Sequence, residues 1–332
     1  MVYSVSLNGK EIVLNDSCEE TTFKNWDLIE GNVEDFICKH PEILFDEEEN
    51  CILIGRHAID KVGKINDLMA IDGDGNLILI ELKRDKKDMI NRDEALEFQA
   101  IRYCASLAKI ENPEELVSAS YARYLEKYEQ NYSGELTPHE RARKQLNSFL
   151  VQNKCLDHFN KKQRIILVAS DYDETTLSAC AWMIKNGIDM RLVKLTPMEN
   201  NGQKLINVET VMPTKDESEY FIDLVKRDEL EKPVTKDKIT RTNKPRMKKL
   251  IEWGIISPGS KLFIKGYPDE IAEVINDKEV KYKEENMSFN KWGCTVTSWS
   301  SICIYEWAIE VGKTQTLDEL RQIKMDELEE QE

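Results

Sequence analysis

The chain has 332 residues, of which 41% are hydrophobic and 33% charged, a length that favours two domains over one. No apolar run approaches the length needed to span a bilayer, and the first residues lack the charged-then-apolar order of a signal peptide, so a cytoplasmic protein is expected. The net charge of −16 argues against a protein that coats nucleic acid, although a local basic patch on an acidic chain can still bind it.

Taken in chain order, the first signal is a hairpin. Val5, Leu7, Ile12 and Leu14 alternate with polar residues on both sides of Asn8-Gly9, a type I′ turn pair. A helix should start near Asn32 and run through Glu34, Phe36 and Ile37 until Pro41 stops it. A strand at Cys51 to Ile54 precedes a second hairpin, Ile65 to Ile71 and Leu77 to Leu82, turning at Asp72-Gly73-Asp74-Gly75. Lys86 to Ile110 reads as helix, and another opens at Thr137-Pro138, where Thr137, Pro138 and Glu140 form a capping box. Ile165 to Ala169 has the continuous apolar character of a buried strand. A second capping box at Asp171 to Glu174, a helix ending at Gly187 and a strand through Met190, Leu192 and Val193 follow. Strand, helix, strand in that order predicts an α/β fold with a crossover onto a mixed sheet flanked by helices.

Residues 214–243 are charged and poor in large apolar side chains, which marks a linker between a first domain, 1–213, and a second, 244–323. Strand-like pieces at Lys261 to Lys265, Ala272 to Ile275 and Ser300 to Trp307 predict a small α+β or mostly β module. Residues 324–332 form an acidic tail. Eight scattered cysteines without a C-x-x-C pair read as reduced core residues, and four dispersed histidines give no zinc spacing. Charge is uneven: residues 1–50 carry thirteen acids against three bases, and residues 234–265 carry nine Lys or Arg against two acids.

The chemistry is concentrated in the second hairpin. Strand side chains alternate, so Glu81 and Lys83 point one way while Leu82 points to the core. A turn at Gly73-Asp74 sets Asp67 opposite Ile80 and beside Glu81, bringing two carboxylates and an ammonium together at the end of the apolar run Leu77 to Ile80. Such a cluster would hold Mg²⁺ or Mn²⁺ through Asp67 and Glu81, with Lys83 offsetting charge at a scissile phosphate. The competing reading is a surface hairpin with a Glu-Lys pair of little energetic value. Asp171 and Asp173 are better explained by helix capping than by metal binding.

The series Glu34, Asp67-Leu68-Met69-Ala70-Ile71-Asp72, Ile80-Glu81-Leu82-Lys83-Arg84 and Gln99 to Tyr103 resembles the PD-(D/E)XK nucleases, in particular the branch with NucS-type endonuclease domains. The resemblance extends through Arg164 to Asp173 and spans about Asp27 to Pro213; Asn66 departs from it, since related domains usually carry an apolar residue before the aspartate. It implies a restriction-endonuclease-like fold, a metal-dependent DNA endonuclease and often a homodimer. It also implies that Glu34 supports the metal or its water, against the alternative of a solvated helix carboxylate. Gln99 and Tyr103, at i and i+4 on one helix face, would contact DNA, brace the catalytic strand or serve as core polar residues. From about Lys244 to Ile323 the sequence is similar to the RAMA domain, associated with recognition of modified DNA. On that likeness Trp292 and Trp299 would stack on a base while Lys248, Lys249, Lys261 and Lys265 hold phosphates, unless the tryptophans are core anchors. A reader joined to a cutter suits a restriction or phage-defence nuclease acting on modified duplex DNA. The alternatives are a repair nuclease for mismatched or branched DNA and a non-cleaving nucleic-acid-binding adaptor.

Overall fold

The computed structural model of the protein describes residues 3–8, 11–57, 67–85, 94–130, 133–222, 242 and 244–329. They fall into two compact units, one formed by residues 1–39 and 54–239 and the other by residues 40–53 and 240–332. The division departs from the boundaries expected at 213 and 244, because fourteen residues from the first part of the chain belong to the second unit.

In the first unit β1 (Tyr3–Asn8) and β2 (Glu11–Ser17) form the expected antiparallel hairpin, with Asn8 paired to Glu11. The turn itself lies outside the described residues. The main sheet contains β3 (Glu19–Glu20), β4 (Cys51–Arg56), β5 (Leu68–Asp72), β6 (Leu77–Lys83), β7 (Gln163–Ala169), β8 (Met190–Asn200) and β9 (Gln203–Met212). Its order is β3-β8-β7-β6-β5-β4, with β9 also paired to β8. β7 lies parallel to both β6 and β8, whereas β5 is antiparallel to β6 and β9 to β8, so the sheet is mixed as predicted. Leu77 to Leu82 and Arg164 to Ala169 are buried throughout, which a central strand covered on both faces requires.

Helices α1 (Glu30–Lys39) and α2 (Leu96–Leu107) pack on β6. Further along are α3 (Ala122–Tyr128), α4 (Pro138–Gln152) and α5 (Glu174–Lys185), the last packed on β8 and α2. The Thr137 box is present in full, the hydroxyl accepting from the Glu140 N–H and the Glu140 carboxylate from the Thr137 N–H. At the head of α5 Asp173 is the N-cap, accepting from the Thr176 N–H, while Asp171 pairs with Lys194 at 3.1 Å. Asn201-Gly202 turns β8 into β9 with both residues at positive φ, the conformation that a type I′ turn demands. Lys86 and the residues up to Asp93, expected to be helical, lie outside the described residues, as do Ile65, Asn66 and most of the linker.

The second unit is α+β. Its sheet, β10 (Lys261–Ile264), β11 (Tyr267–Val274), β12 (Glu279–Tyr282), β13 (Glu285–Ser288) and β14 (Ala308–Glu310), is antiparallel in the order β13-β12-β11-β10-β14. It is accompanied by α6 (Met247–Glu252), α7 (Phe289–Thr297) and α8 (Leu317–Glu329). The stretch Ser300 to Trp307, read as strand, is instead a single bridge at Ser301 and a helical turn at Ile304–Trp307. Its apolar residues are buried by tertiary contacts rather than by sheet pairing: Cys51 exchanges backbone hydrogen bonds with Ser301, and Asn50 accepts from the Cys303 N–H at 2.7 Å. The acidic C-terminal residues continue α8 as far as Glu329.

Arg321, with no solvent exposure, anchors residues 46–48 in this unit. Its guanidinium donates to both Glu48 oxygens and to the Pro245 carbonyl and lies 4.2 Å over the Tyr305 ring. Arg246 pairs with Asp46, Glu47 and Glu48. Part of the charge asymmetry of the sequence is therefore complementarity within one unit, acidic 46–48 against basic Arg246. No helix among the described residues is long and apolar enough to cross a membrane.

Candidate active site

The β5–β6 hairpin positions the site. Asp72 shapes its turn: one carboxylate oxygen accepts the Asp74 and Asn76 N–H groups, the other takes a hydrogen bond from buried Arg164 at 3.0 Å, and Gly75 supplies φ +82°. The strands pair Leu68 with Ile80 and Ile71 with Leu77, a register one residue away from the predicted one. Continued one step, it sets Asp67 opposite Glu81 itself instead of Ile80. Directly opposed residues of an antiparallel pair share a face, so the two carboxylates come closer than the sequence reading required. The Leu82 N–H, donating to Asp67 Oδ2 at 2.7 Å, locks the arrangement.

Glu81 has no solvent exposure. Its Oε2 accepts from Gln99 Nε2 on α2 at 3.0 Å, whereas Oε1 is buried with no hydrogen-bond partner among the described residues. Burial, together with the neighbouring Asp67 charge and against the pull of Lys83, pushes its pKa up to about 9. Desolvation also raises Asp67 above the usual carboxylate range, with Lys83 and the Leu82 N–H opposing. The Asp67 charge thus makes Glu81 harder to ionise.

The second layer comes from α1 and the end of β4. Lys83, on the same strand face as Glu81, has its Nζ 3.7 Å from Glu30 Oε1. Glu30 and Glu34 stand one helical turn apart, and ligand-type oxygens of Glu30, Glu34 and Asp67 lie within 4.8 Å of one another. Glu34 is only 3% exposed, so it is not a solvated helix carboxylate; Oε2 is held by Arg56 Nε at 2.9 Å and His57 Nε2 at 2.7 Å.

Of the residues singled out from the sequence, Asp67, Glu81, Lys83, Glu34 and Gln99 therefore meet at one place. Tyr103 is buried on α2, with the Arg102 guanidinium over its ring at 4.3 Å, so it is a core side chain rather than an exposed one. The sequence reading misses Glu30, Arg56 and His57. The i, i+4 spacing of Glu30 and Glu34 is the one available signal for the first, and nothing local marks the other two.

Trp292 and Trp299 belong to the core of the second unit, 0% and 8% exposed, and Trp299 meets Trp307 edge-to-face at 5.0 Å. Neither offers a ring face to a base, which corrects the stacking expectation. Gly293 explains the tight seat of α7, since a Cβ there would come within 2.6 Å of Ile302. Lys248, Lys261 and Lys265 are exposed, and Lys249 is exposed but paired with Glu252 at 2.9 Å.

The donor set suits a hard divalent cation: the Glu30–Glu34–Asp67 trio offers carboxylate oxygens, and beside it Glu81 Oε1 is buried without a hydrogen-bond partner among the described residues. A cation there would offset the repulsion that arises when Asp67 and Glu81 are both ionised.

No family model matches the chain, and no curated protein matches it. Solved structures that resemble part of it include two endonuclease structures. A repair endonuclease from Pyrococcus abyssi is 21% identical over 55% of this chain and 51% of its own, with a TM-score of 0.26. A structure described as an EndoMS-dsDNA2 complex is 19% identical over 55% of this chain and 50% of its own, with a TM-score of 0.25. This chain thus spans about half the length of either one.

Proposed function

We propose that this protein is a metal-dependent DNA endonuclease that hydrolyses phosphodiester bonds at the open end of the β5–β6 hairpin. The observation that carries the reading is Glu81: a fully buried carboxylate opposite Asp67, with one oxygen oriented by Gln99, the other without a hydrogen-bond partner among the described residues, and Lys83 two residues on. Burying two acids with an oxygen left bare costs about 1–3 kcal/mol or more, a poor arrangement for a structural hairpin and a useful one for gripping an ion.

Asp67 and Glu81 would hold Mg²⁺ or Mn²⁺, with Glu30 and Glu34 beside them. When bound, the ion supplies a Lewis acid that offsets charge growing on a phosphodiester. Gln99 keeps Glu81 in one orientation, and the Leu82 N–H does the same for Asp67. Lys83 brings an ammonium to the rim of the carboxylate cluster, where it can donate to a phosphate oxygen, and its Glu30 contact keeps it there in the absence of substrate.

Duplex DNA is the proposed substrate, cut by a homodimer, with the second unit selecting the DNA through Lys248, Lys261 and Lys265. Restriction of modified DNA and repair of mismatched or branched DNA are both compatible with this chemistry. The buried Trp292 and Trp299 remove two aromatic platforms from the modified-base version. A cleavage panel of plain, methylated, mismatched and branched duplexes, with Mg²⁺, Mn²⁺ or EDTA at fixed salt, tests the proposal. Asp67→Ala and Lys83→Ala should each lower cleavage at least about a hundredfold while DNA binding persists. Undiminished cleavage by both variants would remove the site from consideration.

A further inference from the structure

His57 has no part in the chemistry above, yet its position is unusually determined. It follows β4 with φ 53°, in the left-handed region that most L residues avoid and that Asn, Asp and His enter most readily. Its N–H donates to the Asp67 carbonyl at 3.0 Å, tying it to the start of the catalytic hairpin. Ring Nε2 is 2.7 Å from Glu34 Oε2, and Nδ1 is 3.3 Å from the Tyr128 hydroxyl. An ionised carboxylate oxygen can only accept, so Nε2 carries the proton and donates. In the neutral ring Nδ1 then accepts from the Tyr128 O–H, so both ring nitrogens have partners. The side chain is 36% exposed, so burial of apolar area is not what holds it. Arg56 donates Nε to the same Glu34 oxygen, and its guanidinium lies 4.9 Å over the Tyr128 ring.

We propose that His57 is a positioning residue which, together with Arg56, fixes the Glu34 carboxylate within the Glu30–Glu34–Asp67 trio that would face a divalent cation. A glutamate on a helix has three side-chain torsions to fix, and two donors converging on one oxygen from a rigid strand end fix them. The strained backbone at His57 is the cost of aiming Nε2 at that oxygen. The assignment rests on the metal-dependent reading of the same site.

The test is a Mn²⁺ titration of the full chain, reading free ion by electron paramagnetic resonance, with thermal unfolding run on every variant. His57→Asn suits the left-handed backbone, so it should fold, but its amide reaches only to the level of Nδ1. His57→Gln places an N–H donor at the level of Nε2. Expected is a roughly tenfold weaker Mn²⁺ affinity for His57→Asn, most of it regained in His57→Gln. In a Glu34→Gln background His57→Asn should have little further effect, because it acts through that carboxylate. Wild-type affinity in His57→Asn, equal weakness of both variants, or additive losses with Glu34→Gln would each overturn the assignment. If His57→Asn does not fold, Tyr128→Phe takes its place: a smaller loss is expected, and no loss overturns the proposal. A wild-type chain without saturable Mn²⁺ binding would defeat the metal-dependent reading itself, and this inference with it.

Discussion

Glu81→Gln should make the metal-free protein more stable, increasingly so as pH rises. Glu81 is fully buried and its pKa is pushed from 4.5 up to about 9, by burial first and by Asp67 second. At neutral pH the folded chain holds it protonated, whereas the unfolded chain ionises it. The group therefore contributes most below pH 4.5, and its contribution is lost as pH climbs towards 9, at about 1.4 kcal/mol per pH unit. At pH 7 that amounts to about 3 kcal/mol, a sum the amide does not incur. The amide has the shape of the protonated acid and can still accept from Gln99, and the unpartnered polar position is common to both. Urea unfolding in EDTA at pH 5, 7 and 8.5 would show the variant's advantage growing by about 3 kcal/mol between the first two points. Mn²⁺ should reverse the order, since it stabilises only the chain that binds it. A pH-independent difference, or a variant less stable than wild type at pH 8.5 without metal, would refute the argument.

Three further substitutions concern the second unit. Trp292→Ala should destabilise it by about 3–5 kcal/mol, as loss of a buried aromatic does, whereas Lys261→Ala should leave stability within about 0.5 kcal/mol and lower the salt slope of DNA binding by about 1; a stable Trp292→Ala with selectively weakened DNA binding would restore the base-stacking role. Glu48→Ala leaves the buried Arg321 guanidinium short of its main acceptor and should cost about 3 kcal/mol in calorimetry, while a negligible loss would mean that Asp318 and the Pro245 carbonyl suffice.

The hairpin is legible in the sequence because its information is local. An apolar run, a turn of Asp and Gly, and alternation force Glu81 and Lys83 onto one face. The register reads one residue out, since the placement of the turn depends on Asp72 being fixed by Arg164, a partner 92 positions away. Glu34 comes from a resemblance, and sequence alone leaves open whether it is solvated. Its burial follows from Arg56 and His57 closing over it, which no local pattern encodes. The same limit applies to the tryptophans and to Ser300–Trp307, whose apolar content says that they are buried but not against what. Residues 40–53 look like a connection from α1 into the start of β4, and only Arg246, 200 positions beyond Asp46, and Arg321, 273 beyond Glu48, reveal where they belong.

That interleaving decides how this architecture can be recombined. A fragment beginning at residue 244 would carry Arg321 without the Glu48 that neutralises it, and a chain truncated at 243 would keep an acidic loop stripped of its cations. Shuffling the C-terminal segment alone onto another chain would transplant an incomplete module. The heritable unit of exchange is two separated stretches, which must change in concert.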